Sequence, residues 1–417
     1  MTDPVDRVAV VCDRIDRLDA RVRAFVPEPD RRGRLAAEAA AAPPGVLSGV
    51  AVGVKDIVRC DGTQTRAGSR VPAEELAGPQ APLVDRLRAA GALIAGKTVT
   101  AEFAVTAPGP TRNPHNTAHT PGGSSSGSAA AVAAGMVPLA VGTQTVGSVI
   151  RPAAFCGVVG FKPTFGRIPV DGVIANAPSF DTVGVLAADV AGAALGASVL
   201  CDDWREPERG RGSEPEPGTA RRPVLGVPAG PYLDRAGAEA RAAFAAQTAR
   251  LAAAGWTVRE VPVMDGPGEF EAVVRQLFTM NRYEVARTHA DWFPRHGRLY
   301  REQTVAAIRE GQAIARDDYE RAVRERRAVR ARLLDAMERI DVWLAPSATG
   351  PAPFGLGSTG DSVMCLPWSN AGFPAVSLPA GYAANGLPLG LQVVGRPGED
   401  EELLGWVAEL AAVVMPR

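Results

Sequence analysis

The chain has 417 residues, 46% of them apolar, and a formal net charge of −1. That is enough apolar matter for a large core in one or two domains, and it leaves no basic face for nucleic acid. Five cysteines (Cys12, Cys60, Cys156, Cys201 and Cys365) are odd in number and lack metal-like spacing. With a charged start, Met1-Thr-Asp-Pro-Val-Asp-Arg7, that lacks the apolar core of a signal peptide, they lead us to expect a cytoplasmic protein.

Taken in chain order, residues 7–25 and 31–41 read as amphipathic helices and 49–57 as a strand. A helix over 82–90 and a strand over 92–95 follow, then a small-residue helix over 126–134 able to pack close to a sheet. Residues 129–150 carry no charge and are long enough to span a bilayer. Yet Gly135, Pro138, Gly142, Gln144, Gly147 and Ser148 interrupt them, so a buried helix-loop-strand is the reading and no membrane is expected. Residues 202–223 form a Pro/Gly/charge-rich excursion at the surface. Beyond it come a helix over 238–254, a strand over 256–263, and long helices over 269–290 and 301–338. Strands over 341–345 and 375–378 and a helix over 400–413 close the chain. Such alternation argues for an α/β fold with a mixed or largely parallel sheet covered on both faces. No internal repeat is present.

The chemistry concentrates in two serine-glycine segments. One is Pro121-Gly-Gly-Ser-Ser-Ser-Gly-Ser128, the other Gly142-Thr-Gln-Thr-Val-Gly-Ser-Val-Ile-Arg-Pro152, and Ser124 and Ser148 lie 24 positions apart. A serine hydroxyl needs a neighbouring base to become a nucleophile, and amides crowded around a Gly-Ser turn can hold the oxyanion that results. Of the 45 lysines and arginines only Lys55, Lys97 and Lys162 are lysine. Arginine cannot give up its proton in a protein, whereas a buried lysine can, so a lysine retained against this bias points to a need for an amine. Lys55 stands in Gly53-Val-Lys-Asp56, upstream of both serine segments.

Other motifs compete. Gly91-Ala-Leu-Ile-Ala-Gly-Lys-Thr98 matches the P-loop pattern, but its apolar interior reads as a buried strand with Lys97 in a structural role. Gly123-Ser-Ser-Ser-Gly127 matches a nucleophile elbow centred on Ser125, with His289 and His296 downstream. It follows a polar, proline-broken run rather than a strand, and both histidines read as lying on a helix or at its exposed end. His115 and His119 have helical metal-ligand spacing, but Pro114 and Pro121 bracket them and no carboxylate or cysteine cluster accompanies them, so no metal is expected. The Arg/Glu run over 321–332 reads as a solvated helix face.

At the serine segments the chain resembles the amidase signature family, and within it the bacterial malonamidases. The match runs through Gly53-Val-Lys-Asp56, the first serine segment and Gly147 to Thr164. It resumes in Asn370-Ala-Gly-Phe-Pro-Ala-Val-Ser377 and Gly386-Leu-Pro-Leu-Gly-Leu-Gln392. Asn113-Pro-His-Asn-Thr117 and the Thr-Gln-Thr before the nucleophile carry the malonamidase likeness. The resemblance implies one α/β/α domain over 1–417 with a large twisted mixed sheet. It also implies Lys55 as a buried, neutral base, Ser124 as a bridging serine in a cis peptide, and Ser148 as the nucleophile. The amides of Thr145, Val146, Gly147 and Ser148 would form the oxyanion hole, and Arg151, Thr143 and Asn281 would bind substrate. Two departures from the family pattern stand out, Gln144 for an aspartate and Val146 for a glycine; the arginine at 151 also sits one position late, and Asn281 stands where a glutamine is expected. Arg151 is read two ways, as a clamp on a substrate carboxylate or as a brace paired with a nearby carboxylate. No cofactor is implied. The expected function is an amidohydrolase acting through a serine acyl-enzyme on a small amide, one bearing a carboxylate being the first choice, without nucleic acid; a homodimer is left open. A glutaminase subunit of a tRNA-dependent amidotransferase and an inactive scaffold are the alternatives.

Overall fold

A computed structural model describes residues 4–205 and 222–416. Ten strands build one sheet: β1 (Ala51–Lys55), β2 (Leu93–Thr98), β3 (Leu139–Gln144), β4 (Val159–Lys162), β5 (Thr182–Ala187), β6 (Leu225–Ala229), β7 (Val258–Pro262), β8 (Val342–Pro346), β9 (Ala375–Tyr382) and β10 (Pro388–Val394). Their order across the sheet is β2-β1-β3-β5-β4-β9-β10-β8-β6-β7. The flanks are parallel, β1 with β2 and β3 on one side and β6 with β7 and β8 on the other. The middle strands β5, β4, β9 and β10 pair antiparallel with their neighbours. This is the mixed sheet that was expected.

Successive side chains of a strand face opposite sides of the sheet, and here both sides are apolar. Val52, Val54, Val183, Val185, Val376 and Leu378 enter a core shared with the helices Pro82–Ala89, Val190–Leu200, Ala238–Ala253 and Asp400–Val414. Their neighbours Ala51, Ala140 and Leu186 meet the helices Pro4–Val22, Ser126–Ala133 and Ile150–Cys156 on the opposite face. Further along the sheet Trp343, Ala345, Ala375 and Val394 pack against Glu269–Thr288, Arg316–Ala336 and Leu366–Ala371. Helices therefore cover both faces.

Several expectations need correction. The single helix over 301–338 is two, Glu302–Ala313 and Arg316–Ala336, separated at Ile314 and Ala315. Asp317 and Asp318 sit in the first turn of the second, where the helix dipole favours negative charge. The arginines of that helix are not all solvated: Arg326 Nε donates to Asn370 O at 2.7 Å, and Arg330 donates to Ala371 O, tying down the chain before β9. His289 follows a helix, as expected, but is buried, with Nδ1 3.0 Å from the Tyr300 hydroxyl. Strands β4, β5, β6 and β10 and the helix Val190–Leu200 are additions to the sequence reading. Of the excursion over 202–223, residues 206–221 lie outside the described residues.

Candidate active site

Lys55 closes β1, a strand buried along its whole length between β2 and β3. Its amine is wholly removed from solvent and lies 2.8 Å from Ser124 Oγ, 2.7 Å from Thr143 Oγ1 and 3.4 Å from Thr143 O. Burial pushes its pKa well below the usual lysine value; the nearby Asp181 carboxylate opposes that shift and the Arg151 guanidinium adds to it. The other two lysines have different work. Lys97 lies within β2 and pairs with Asp56 at 3.3 Å, donating also to Val58 O and Thr65 Oγ1, so Gly91 to Thr98 is a strand and not a phosphate loop. Lys162 donates to Pro163 O at 2.8 Å.

The first serine segment turns at Gly122, whose φ of +82° is open to glycine, and the Gly123–Ser124 peptide is cis. It then enters the helix Ser126–Ala133 by close approach: a Cβ on Gly127 would fall 2.2 Å from Ala24 O and 2.3 Å from Val99 N. Its serines separate by role. Ser125 Oγ donates to Thr143 O and accepts from Thr143 N, both at 3.1 Å, and is fully buried, which removes it as an elbow nucleophile. Ser126 and Ser128 donate to Val99 O and Val141 O. Ser124 is the one whose hydroxyl meets Lys55.

The second segment begins where β3 ends at Gln144 and turns through Thr145 to Ser148 into the helix Ile150–Cys156. Gln144 Oε1 accepts from Val149 N at 2.8 Å and Ile150 N at 2.9 Å. Its Nε2 donates to Ser369 Oγ at 2.9 Å, and Ser369 Oγ donates to Val146 O at 2.7 Å. The residue that departs from the family pattern thus holds the turn from both ends. Among the described residues the amides of Thr145, Val146, Gly147 and Ser148 donate to no protein group, and neither does the Ser148 hydroxyl. Ser125 N donates to Ser148 O at 3.3 Å and joins the two segments, whereas the Ser124 and Ser148 hydroxyls are not hydrogen-bonded to each other.

Thr145 to Ser148 form one wall of a cavity of about 140 Å³. The rest comes from Ala104 to Thr106, Arg151, Asn176, Phe278, Asn281, Arg282, Thr359, Gly360 and Ser362. A larger cavity of about 710 Å³, beside the N-terminal helix, holds none of the serine hydroxyls described here. Arg151 is buried, donates to Gly123 O at 2.5 Å and to Thr359 Oγ1 at 3.2 Å, and keeps an unpartnered Nε. It joins no ion pair among the described residues, so the brace it offers is to a carbonyl and not to a carboxylate. Asn281 also lines the cavity, donating to Asn176 Oδ1 at 3.1 Å and accepting from Arg282 at 2.9 Å. Thr143 does not line it; its hydroxyl meets Lys55 instead.

Residues that the sequence reading did not single out complete the site: Asn176, Asp181, Arg282, Thr359 and Ser369. Nothing local marks them, because each is brought in by sheet register or by a distant loop. No group of three or more His, Cys, Asp or Glu able to hold a metal ion occurs among the described residues. His115 Nε2 instead lies 2.9 Å from Cys156 O and His119 Nδ1 2.8 Å from Ala352 O. No helix among the described residues is long and apolar enough to cross a membrane.

A desolvated amine beside one serine, a second serine on a cavity wall and a turn of unpartnered amides can support acyl transfer. The Amidase family model matches residues 6–404, and the chain belongs to that family, as an enzyme acting on amide carbon–nitrogen bonds. The A-type subunit of glutamyl-tRNA(Gln) amidotransferase from Symbiobacterium thermophilum is 35% identical over 409 residues, covering 86% of this chain and 82% of that protein. The protein of the same name from Anaeromyxobacter dehalogenans is 36% identical, covering 94% and 89%. Among solved structures, an amidase superposes with TM-score 0.87 at 33% identity over 99% of this chain and 96% of that one. The A-type glutamyl-tRNA(Gln) amidotransferase subunit of Thermotoga maritima gives 0.79 at 26% identity, over 99% and 94%.

These relatives correct one expectation. The absence of nucleic acid was inferred from the near-zero net charge and a small-molecule amide from the family resemblance, yet the curated relatives are named as subunits of an enzyme of glutamyl-tRNA.

Proposed function

We propose that the chain cleaves a carboxamide through an acyl-enzyme on Ser148, as the glutaminase subunit of a tRNA-dependent amidotransferase. The chemical half rests above all on the buried Lys55 amine, 2.8 Å from Ser124 Oγ. A neutral amine has two N–H groups and one lone pair. With the N–H groups on Thr143 Oγ1 and Thr143 O, the lone pair is left for the Ser124 hydroxyl. Ser124 passes its proton to Lys55 and takes the Ser148 proton as Ser148 Oγ bonds to the carbonyl carbon. Rotation of the Ser148 side chain towards Ser124 closes this link, as catalytic hydrogen bonds commonly tighten only once substrate is bound. The four free amides from Thr145 to Ser148 receive the oxyanion. Collapse breaks the C–N bond and expels ammonia, which recovers the proton through Ser124, and water then frees the acid.

The multi-chain half is supported by the curated relatives, two of which reach 35% and 36% identity. Glutamine suits the cavity's chemistry, since it carries a primary amide and a carboxylate, and a guanidinium such as that of Arg151 pairs well with a carboxylate. The test has two parts. Covalent labelling of Ser148 by a fluorophosphonate, lost in Ser148→Ala, is expected if the serine is active; an unlabelled protein overturns the chemistry and leaves an inactive scaffold. Ammonia release from glutamine that rises when tRNA and partner chains are added is expected for a member of such a complex. Full turnover by the chain alone, unchanged by either, would overturn that half and leave an amidase working by itself.

A further inference from the structure

The described site contains a carboxylate that the mechanism above does not use, that of Asp181, whose pKa burial raises to about 6. The sheet explains how it gets there. The last ladder pair between β3 and β5 is Gln144 with Thr182, so the next opposed positions are Thr145 and Asp181. Thr145 belongs to the oxyanion turn, and its hydroxyl donates to Asp181 Oδ1 at 2.6 Å. The second oxygen, Oδ2, accepts from Asn176 N at 2.7 Å and Ala177 N at 3.0 Å. Asn176 is itself part of the cavity wall: its Nδ2 donates to Ala104 O and its Oδ1 accepts from Asn281. One carboxylate therefore grips the oxyanion turn with one oxygen and the opposite wall with the other.

We propose that Asp181 is a positioning residue of the reaction, tying the oxyanion turn to the substrate wall and supplying the counter-charge to Lys55 when that amine takes up its proton. All three hydrogen bonds to the carboxylate come from donors, which favours its charged form. The groups facing Lys55 point the same way. Ser124 and Thr143 are neutral, Arg151 is a like charge that disfavours the ammonium, and Asp181 is the carboxylate that favours it. Gln144, at the position where the family pattern has an aspartate, brings no charge of its own. The ammonium formed during acylation would otherwise have the Arg151 guanidinium as its charged neighbour in a desolvated site.

The inference rests on Lys55 being the base, and the experiment separates the two ideas. The rate of inactivation by a fluorophosphonate is measured against pH for the full chain and for Asp181→Asn, Thr145→Val and Lys55→Ala. The base must be neutral, so the rate rises with pH through the Lys55 pKa. Removing a neighbouring negative charge lowers that pKa. Asp181→Asn is therefore expected to move the acidic limb down by about one pH unit and to slow inactivation roughly tenfold to a hundredfold by loosening the turn. Thr145→Val is expected to slow inactivation with the limb unmoved. A limb for Asp181→Asn that coincides with the wild type overturns the counter-charge, and a wild-type rate for Thr145→Val overturns the tie. Should Asp181→Asn fail to fold, Thr145→Val decides the tie, and Asp181→Glu, which keeps the charge, decides the counter-charge: a limb moved down by about a unit despite the retained carboxylate overturns it. Undiminished inactivation of Lys55→Ala would instead sink the reading of Lys55 as base, and this proposal with it.

Discussion

Replacing Gln144 by leucine tests whether this side chain holds the turn that carries Ser148. Leucine keeps much of the volume but offers no acceptor, so Val149 N and Ile150 N lose their partner at the start of a helix buried throughout. An orphaned buried donor costs about 1–3 kcal/mol. Two of them, partly offset by leucine's apolar burial and by relaxation of the turn, give an expected loss of about 3 kcal/mol. Ser369→Ala spares both amides; it takes the acceptor from Gln144 Nε2 and the donor from the half-buried Val146 O, and is expected to cost about 1 kcal/mol, the low end for an orphaned donor. In a chain of this size each kcal/mol moves the melting temperature by roughly 1–2 °C. Thermal unfolding at one scan rate should therefore place Gln144→Leu about 3–6 °C below wild type and Ser369→Ala within about 2 °C of it. The same loosening displaces the amides that the proposed mechanism assigns to the oxyanion, and fluorophosphonate inactivation should slow at least about tenfold. A Gln144→Leu protein that melts and reacts like the wild type would refute the reasoning.

Other substitutions probe the rest of the site. Lys55→Met should lower amide hydrolysis about a thousandfold without lowering the melting temperature, because a thioether is cheaper to bury than an amine; retained turnover, or a large loss of stability, counts against it. Lys162 titrates at about 7 against 10.5 for the free side chain, so between those values the unfolded chain binds the extra proton and stability rises with pH. The penalty, on the order of 4–5 kcal/mol, is complete below pH 7 and gone near pH 10.5. Lys162→Met should therefore outmelt the wild type most at pH 7, the gap closing towards pH 10; a constant gap refutes the buried amine as its cause. Arg151→Ala should cost at least about a hundredfold more on glutamine than on a matched amide lacking the carboxylate, whereas equal losses on both would leave Arg151 as a brace for Gly123.

Which features were legible follows from how local their causes are. Lys55, Ser124 and Ser148 announce themselves by side-chain chemistry in glycine-rich settings, and the surviving lysines add a compositional clue. The helix Ser126–Ala133 is visible because a run of serine and alanine between glycines suits close packing on a sheet. Strand β4, Val159–Lys162, is four residues long and could belong to a helix as easily as to a sheet. Asp181 is invisible for another reason: its role exists only once β5 is laid antiparallel against β3 in one register. Arg326 and Arg330 mislead because an arginine-rich helix reads as solvated, although long stems carry two of its guanidinium groups inward to carbonyls. Gln144 misleads in the opposite direction. As an exchanged letter it suggests a defect, and in three dimensions it is a cap.

Lys55, Ser124, Ser148 and the oxyanion turn all come from the first 148 residues, whereas Phe278, Asn281, Arg282, Thr359, Gly360 and Ser362 face them from the last 140. On the proposed function, the bond-breaking groups thus lie early in the chain and one wall of the cavity late, with Arg151 and Asn176 between them. New letters in the helix Glu269–Thr288 or in residues 351–362 reshape that wall and can accumulate while Lys55, Ser124 and Ser148 are inherited intact. Recombining the latter part of one such chain with the former part of another exchanges that wall and keeps Arg151 and Asn176 in place.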